Sequence, residues 1–237
     1  MRSAIALCLL AAVLCTVDAT FLEFLLLRVR NTKKSVESII EQLERIHDNV
    51  EKDVDLTVIK ERLKKMEEFD KYVNPILDTI RKEVEDAKAR GKDAQRCYDA
   101  AHNIVKDARY AFYTDAERCQ VSAKRCISNN LSFIDNLITN GRNLIEELDN
   151  IFPDCYKKNS RFIDILKLHN CIKKQLDIST VRVKNLKTDA SSAKSTAKNA
   201  FNVVHQQSID CLKNAYLNTH PKIKEARETA TRCLKAI

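Results

Sequence analysis

Two glycines and three prolines in 237 residues leave this chain almost no means of turning. Hairpins and barrels need Gly, Asn-Gly or Pro at set turn positions, so a β-rich fold is excluded and long helices remain. The stretch Asp93 to Ser128 contains neither residue, and its small and apolar residues fall three and four apart. They are Ala94, Cys97, Ala101, Ile104 and Ala108, then Phe112, Ala116, Cys119, Ala123 and Cys126. That spacing lines one face of a helix. Three cysteines lie on this seam and therefore face partner helices. The fold class that follows is all-α: an elongated multi-helix bundle of long amphipathic helices cross-linked by disulfides.

The chain opens with Arg2, an apolar run from Ala4 to Val17, and then Val17-Asp18-Ala19, with small residues placed for cleavage after Ala19. This pattern is that of a secretory signal peptide over residues 1–19, which implies a secreted, extracellular product. Asp18 and Glu23 interrupt the run before it reaches the ~20 apolar residues of a spanning helix. Residues 20–92 read as cysteine-free N-terminal helices and 93–237 as a cysteine-bearing bundle continuous with them in one domain.

The leader contains Cys8 and Cys15. The disulfide candidates left are Cys97, Cys119, Cys126, Cys155, Cys171, Cys211 and Cys233. An oxidising compartment makes bridges the default, and an odd number leaves one thiol free, capped or joined to a second molecule. Cys119 and Cys126 stand seven residues apart, roughly 10 Å along a helix, too far for a bridge. If the central helix is continuous, its three cysteines choose among Cys155, Cys171, Cys211 and Cys233, and one of those four is the odd thiol. Thr114 and Glu117 form a capping-box pattern that would break the helix and lift that exclusion.

Local signals divide the rest into helices. The run Phe21 to Val29 reads as a leading helix buried against the bundle, or as a segment that touches lipid or a second copy. Ser35 caps a helix to about Val50, and a second pattern runs through Val58, Leu63, Met66, Phe69 and Val73. Pro75 suits the first turn of a third, which Gly91 ends. Asn129-Asn130 marks a junction, and Asn130-Leu131-Ser132 is a glycosylation sequon there. A helix from Leu131 stops at Pro153, with Cys155 in the connection. Another runs from Ser160 to Leu176, with Phe162, Ile163, Leu166 and Ile172 as its apolar face and Cys171 near its end. Ser179 or Thr180 starts a long alanine-rich element expected to pack on the central seam, and Pro221 begins a terminal helix.

Residues 154–237 hold 17 Lys and Arg against 7 Asp and Glu, an excess of +10, within a chain whose net charge is +8. Lys173, Lys174, Arg182, Lys184, Lys187, Lys194 and Lys198 form its densest part, a basic patch suited to anionic partners or a solvated face. No nucleic-acid module is recognisable, and none is expected as a partner. The lead toward a metal is a pair of acid-x-x-His steps, Glu44 to His47 and Asp99 to His102, which resembles half of a helical di-iron set. The facing carboxylates are missing, so no metal, cofactor or catalytic residue is assigned and no enzyme is expected. His169, His205 and His220 lie in polar sequence surroundings.

The leader, the cysteine-bearing seam around Cys119, Arg125-Cys126-Ile127 and Cys155, and the later Cys171 and Cys211 together resemble the TsetseEP-domain proteins, secreted helical proteins of flies. The likeness spans Asp93 to Tyr216. It implies an extracellular role linked to the gut and to responses against microbes, without catalysis. The Glu-Pro repeats of the namesake's tail have no counterpart here. The expected function is therefore a secreted, non-enzymatic helical binding protein whose basic C-terminal flank meets an anionic surface or protein partner. The alternative is a carrier of lipid or a small hydrophobic ligand, or a membrane-active protein. The odd cysteine leaves a disulfide-linked homodimer open.

Overall fold

The computed structural model describes the backbone of residues 2–158 and 165–237, and side chains over 21–158 and 165–237. The leader's side chains, and Ser160, Phe162 and Ile163, lie outside the described residues. The protein is all-α: three long packed helices form a bundle linked by three disulfides, with one short helix after them. These are α1 (Arg2–Ala89), α2 (Gln95–Lys158), α3 (Ile165–Leu217) and α4 (His220–Lys235). Among the described residues no helix is long and apolar enough to cross a membrane.

Most of the expected breaks are absent. Helix α1 runs through Ser35 and Pro75, α2 through Thr114, Asn129-Asn130 and Pro153, and α3 through Ser179-Thr180. A proline inside a helix removes one backbone donor and costs about 3 kcal/mol. Both prolines lie on exposed faces, where water reaches the carbonyl left bare, while the buried rows Val73–Leu77 and Ile151–Cys155 pass uninterrupted on the other side. Asn130 does not cap a new helix, because its Nδ2 donates to the Cys126 carbonyl at 2.7 Å. Gly91 does end α1, with φ of +79°. The Gly91 and Lys92 amides donate back to the carbonyls of Lys88 and Ala87, the paired bonds of a glycine-terminated helix.

The chain divides into two compact units, one of Met1–Asp48 with Leu131–Ala197, the other of Asn49–Asn130 with Lys198–Ile237. Each has its own hydrophobic period. In the first unit buried residues recur every seven positions: Val29, Val36 and Leu43 on α1, Ile134, Gly141, Leu148 and Cys155 on α2, and Leu176, Val183, Ala190 and Ala197 on α3. In the second they recur every eleven: Val58, Phe69 and Ile80 on α1, and Val105, Ala116 and Ile127 on α2, a row that starts at Ala94 just before the helix. A seven-residue repeat favours left-handed winding of packed helices, and an eleven-residue repeat favours right-handed winding.

The second unit's core stacks Phe69 on Phe112, with ring centroids 5.1 Å apart, and sets Tyr216 edge-on to Phe112. Around them the alanines at 101, 108 and 116 keep α2 slim. Cys97, Ala108 and Cys119 form a second buried row at steps of eleven, which is why both cysteines face partners. Arg227 clasps Glu83 through two hydrogen bonds of 2.6 and 2.5 Å, holding α4 to α1. That guanidinium keeps the Glu83 carboxyl below its ordinary pKa.

In the first unit Gly141 is the point where α1 and α3 both press on α2. A Cβ there would lie 2.8 Å from Ile40 Cγ1 and 3.4 Å from Leu186 Cδ2. Gly141→Ala gains about 1 kcal/mol of helix propensity but overpacks at a cost of about 1–3 kcal/mol. The expected outcome in urea unfolding is a net loss of about 1 kcal/mol, smaller when Ile40→Ala opens the space.

Candidate anion-binding surface

Helix α3 buries Ile172, Leu176, Ser179, Val183, Leu186, Ala190 and Ala193 in the first unit, and this fixes what its other faces show. Lys173, Lys184, Lys187 and Lys194 follow one another at steps of eleven, three and seven, so they form one strip along the helix. All four are exposed, as is Lys174 to the side, and none of the five has an ion-pair partner among the described residues. The other two members of the patch stand apart. Arg182 lies across the helix and pairs with Glu147 of α2, and Lys198 belongs to the second unit. Asp177 is the acidic residue beside the strip, and Arg28 of α1 holds it at 3.4 Å.

Two residues on the same strip have no charge to draw attention to them. Leu166 and His169 precede Lys173 by seven and four positions, and Leu166, expected on the apolar face with Ile172, is instead 71% exposed, because the buried row of α3 runs through Ile172 and Leu176 on another side. His169 packs against the Phe21 ring of α1 at a centroid distance of 3.9 Å, with its Nε2 buried and unbonded. The polar setting read from its neighbours in sequence is thus corrected by a contact from another helix. His220 likewise sits against Tyr72 and Tyr216, and His205 against Phe201. The run Phe21–Val29 buries only Leu25 and Val29 fully. Phe21, Phe24, Leu26 and Leu27 remain exposed, which corrects the expectation of a segment buried against the bundle.

Among the described residues the cysteines pair as Cys97–Cys233, Cys119–Cys211 and Cys155–Cys171, and Cys126 is the free thiol. The odd thiol therefore lies on the central helix, not among the four later cysteines. Cys155 is inside α2 rather than in a connection, and bonds Cys171 near the start of α3 across a separation of only 16 residues. Cys126 is half-buried beside Ile127, which takes the core position. Asn130 is exposed on continuous helix, not at a junction.

The acid-x-x-His steps each engage other partners. Glu44 bonds Arg142 at 3.0 Å, and His47 meets Asp48 and Asp135 at 3.6 and 3.7 Å. Asp99 accepts a hydrogen bond from Gln95, His102 stacks on Tyr98, and this step belongs to the other unit. Among the described residues no three of His, Cys, Asp and Glu are grouped to hold a metal ion. A groove of about 590 Å³ between α2 and α3 sets Glu146, Glu147 and Asp154 against Lys158 and Arg182 in its wall, and Arg182 is paired with Glu147, so it offers an anion no excess of positive charge. The lysine strip does.

No curated protein and no solved structure matches the chain. A family model does match, over residues 93–216, and its description reads "Protein of unknown function (DUF725)". This overturns the likeness to TsetseEP-domain proteins, which rested on cysteine order and helical spacing, features that any disulfide-braced helical hairpin shares. Since the match covers more than half of its length, the chain belongs to the DUF725 family.

Proposed function

We propose that this is a secreted, non-catalytic protein that binds anionic partners through the lysine strip of α3. The observation that carries the reading is the strip itself: Lys173, Lys184, Lys187 and Lys194, exposed on one face of a rigid helix and without an ion-pair partner among the described residues. Unpaired ammonium groups on a fixed scaffold attract an anion without first breaking an ion pair, and neighbouring charges reinforce one another. The three disulfides fit an oxidising compartment, and the apolar leader-like run before Ala19 supports export.

Heparin is a suitable soluble polyanion for the test. Affinity is expected to fall steeply as sodium chloride rises, because exposed charges are screened over about 8 Å at physiological ionic strength. The triple variant Lys184→Gln, Lys187→Gln, Lys194→Gln is expected to bind about tenfold or more weakly with its melting temperature unchanged. Affinity that is flat in salt, or untouched by the triple variant, removes the basis for the reading.

A further inference from the structure

The lysine strip does not end in a polar surface. Toward the start of α3 it runs into Leu166, and across from it α1 presents Phe21 and Phe24, whose ring centroids lie 6.3 Å apart. Phe24 is 54% exposed, whereas Leu25 beside it is 1% exposed. The Phe21 contact with His169 and the Arg28 contact with Asp177 tie these two helix faces together within the first unit. The result is an apolar cluster from two helices bordered by Arg28, Lys173 and Lys174, with the lysine strip leading away from it. Among the described residues two acidic ones adjoin it: Asp177, already engaged by Arg28, and Glu23, next to Phe24 in sequence.

Exposed aromatic and aliphatic side chains rimmed by cations are the composition of a surface that meets an anionic bilayer. The apolar groups enter the boundary between headgroups and acyl chains, and the lysines face the headgroup charge. A soluble polyanion satisfies the lysines but gives Phe24 and Leu166 nothing to bury against. A second copy of the chain would bring the same cations against themselves. Charge complementarity together with the exposed apolar cluster thus selects a lipid surface.

We propose that this end of α1 and α3 docks onto anionic lipid membranes, lying in the interface without crossing it, an inference that rests on the anionic-partner reading and names the partner's class. The probe is flotation of the mature protein with vesicles of phosphatidylcholine alone or mixed with phosphatidylserine. The protein is expected to float with the mixed vesicles and stay behind with the neutral ones. Phe24→Ser with Leu166→Ser is expected to lower that partition about tenfold or more, because bilayer binding scales with buried apolar area, and to leave heparin affinity unchanged. Both residues are exposed, so an unaltered melting temperature is expected.

The triple lysine variant is expected to lose both vesicle and heparin binding. Heparin binding without vesicle binding, equal flotation with neutral vesicles, or flotation indifferent to the serine pair each overturns the lipid inference and leaves the anionic reading standing. A dimer in the absence of vesicles that the serine pair dissolves puts a second copy on this face, and also overturns it. Binding to neither heparin nor vesicles overturns both.

Discussion

Replacing Cys97 and Cys233 together by alanine is expected to lower the free energy of unfolding by about 4 kcal/mol. The three bridges are nested in sequence, Cys155–Cys171 inside Cys119–Cys211 inside Cys97–Cys233. With the middle bridge in place the outer one closes only the difference between separations of 136 and 92 residues, a loop of 44. Loop-closure entropy for that length lies between the ~3 kcal/mol of a 15-residue loop and the ~4.7 kcal/mol of a 100-residue loop. The bridge also fastens α4, whose 16 residues are marginal as an isolated helix. Without it α4 depends on Ile223, Ala226 and Ala230 in the core and on the Arg227–Glu83 clasp. Urea unfolding measures the global loss, and hydrogen exchange is expected to show α4 amides opening first. A stability within about 1 kcal/mol of wild type contradicts the account of the unfolded chain as the state the bridge constrains.

Phe112→Ala is expected to cost about 3–5 kcal/mol, the range for emptying a large aromatic site in a close-packed interior. The side chain is 1% exposed and touches Phe69, Tyr113 and Tyr216 at once. Its neighbours on the α2 rows are alanines, which have no spare length to fill the void. Phe112→Leu leaves a smaller space and is expected to cost markedly less. Equal costs for the two variants indicate that the ring stacking, rather than the volume, carries the stability.

The helical character of the molecule was legible in the sequence because it rests on local quantities, the scarcity of Gly and Pro and the three-four spacing. The helix boundaries were not. Ser35, Asn130 and Pro153 each carry a local stop or start signal, and each is overridden by core rows that continue past it on the opposite face, while Ser179 is taken into the buried row of α3 itself. The misplaced thiol has a sharper cause. Three-four spacing alone continues from Ala123 to Cys126, whereas the eleven-residue row runs from Ala116 to Ile127 and turns Cys126 aside. That longer period was present in the sequence, and counting it would have placed Val105 rather than Ile104 in the core as well.

The lysines of the candidate surface were visible as a charge cluster, but its division into a strip of four with outliers depends on the register of α3. Its apolar end depends on α1 lying against α3, which no local pattern contains. Phe21 and His169 are 148 positions apart, and only the packed bundle makes them neighbours.

The nesting of the bridges has a consequence for a damaged molecule. Any single backbone nick between Cys97 and Cys233 leaves both fragments joined through sulfur, because the outermost pair spans every peptide bond in that interval. A nick between Cys155 and Cys171 leaves all three bridges holding the pieces as one covalent particle. On a non-reducing gel such a molecule migrates as a single species, and its scission becomes visible only after a thiol is added.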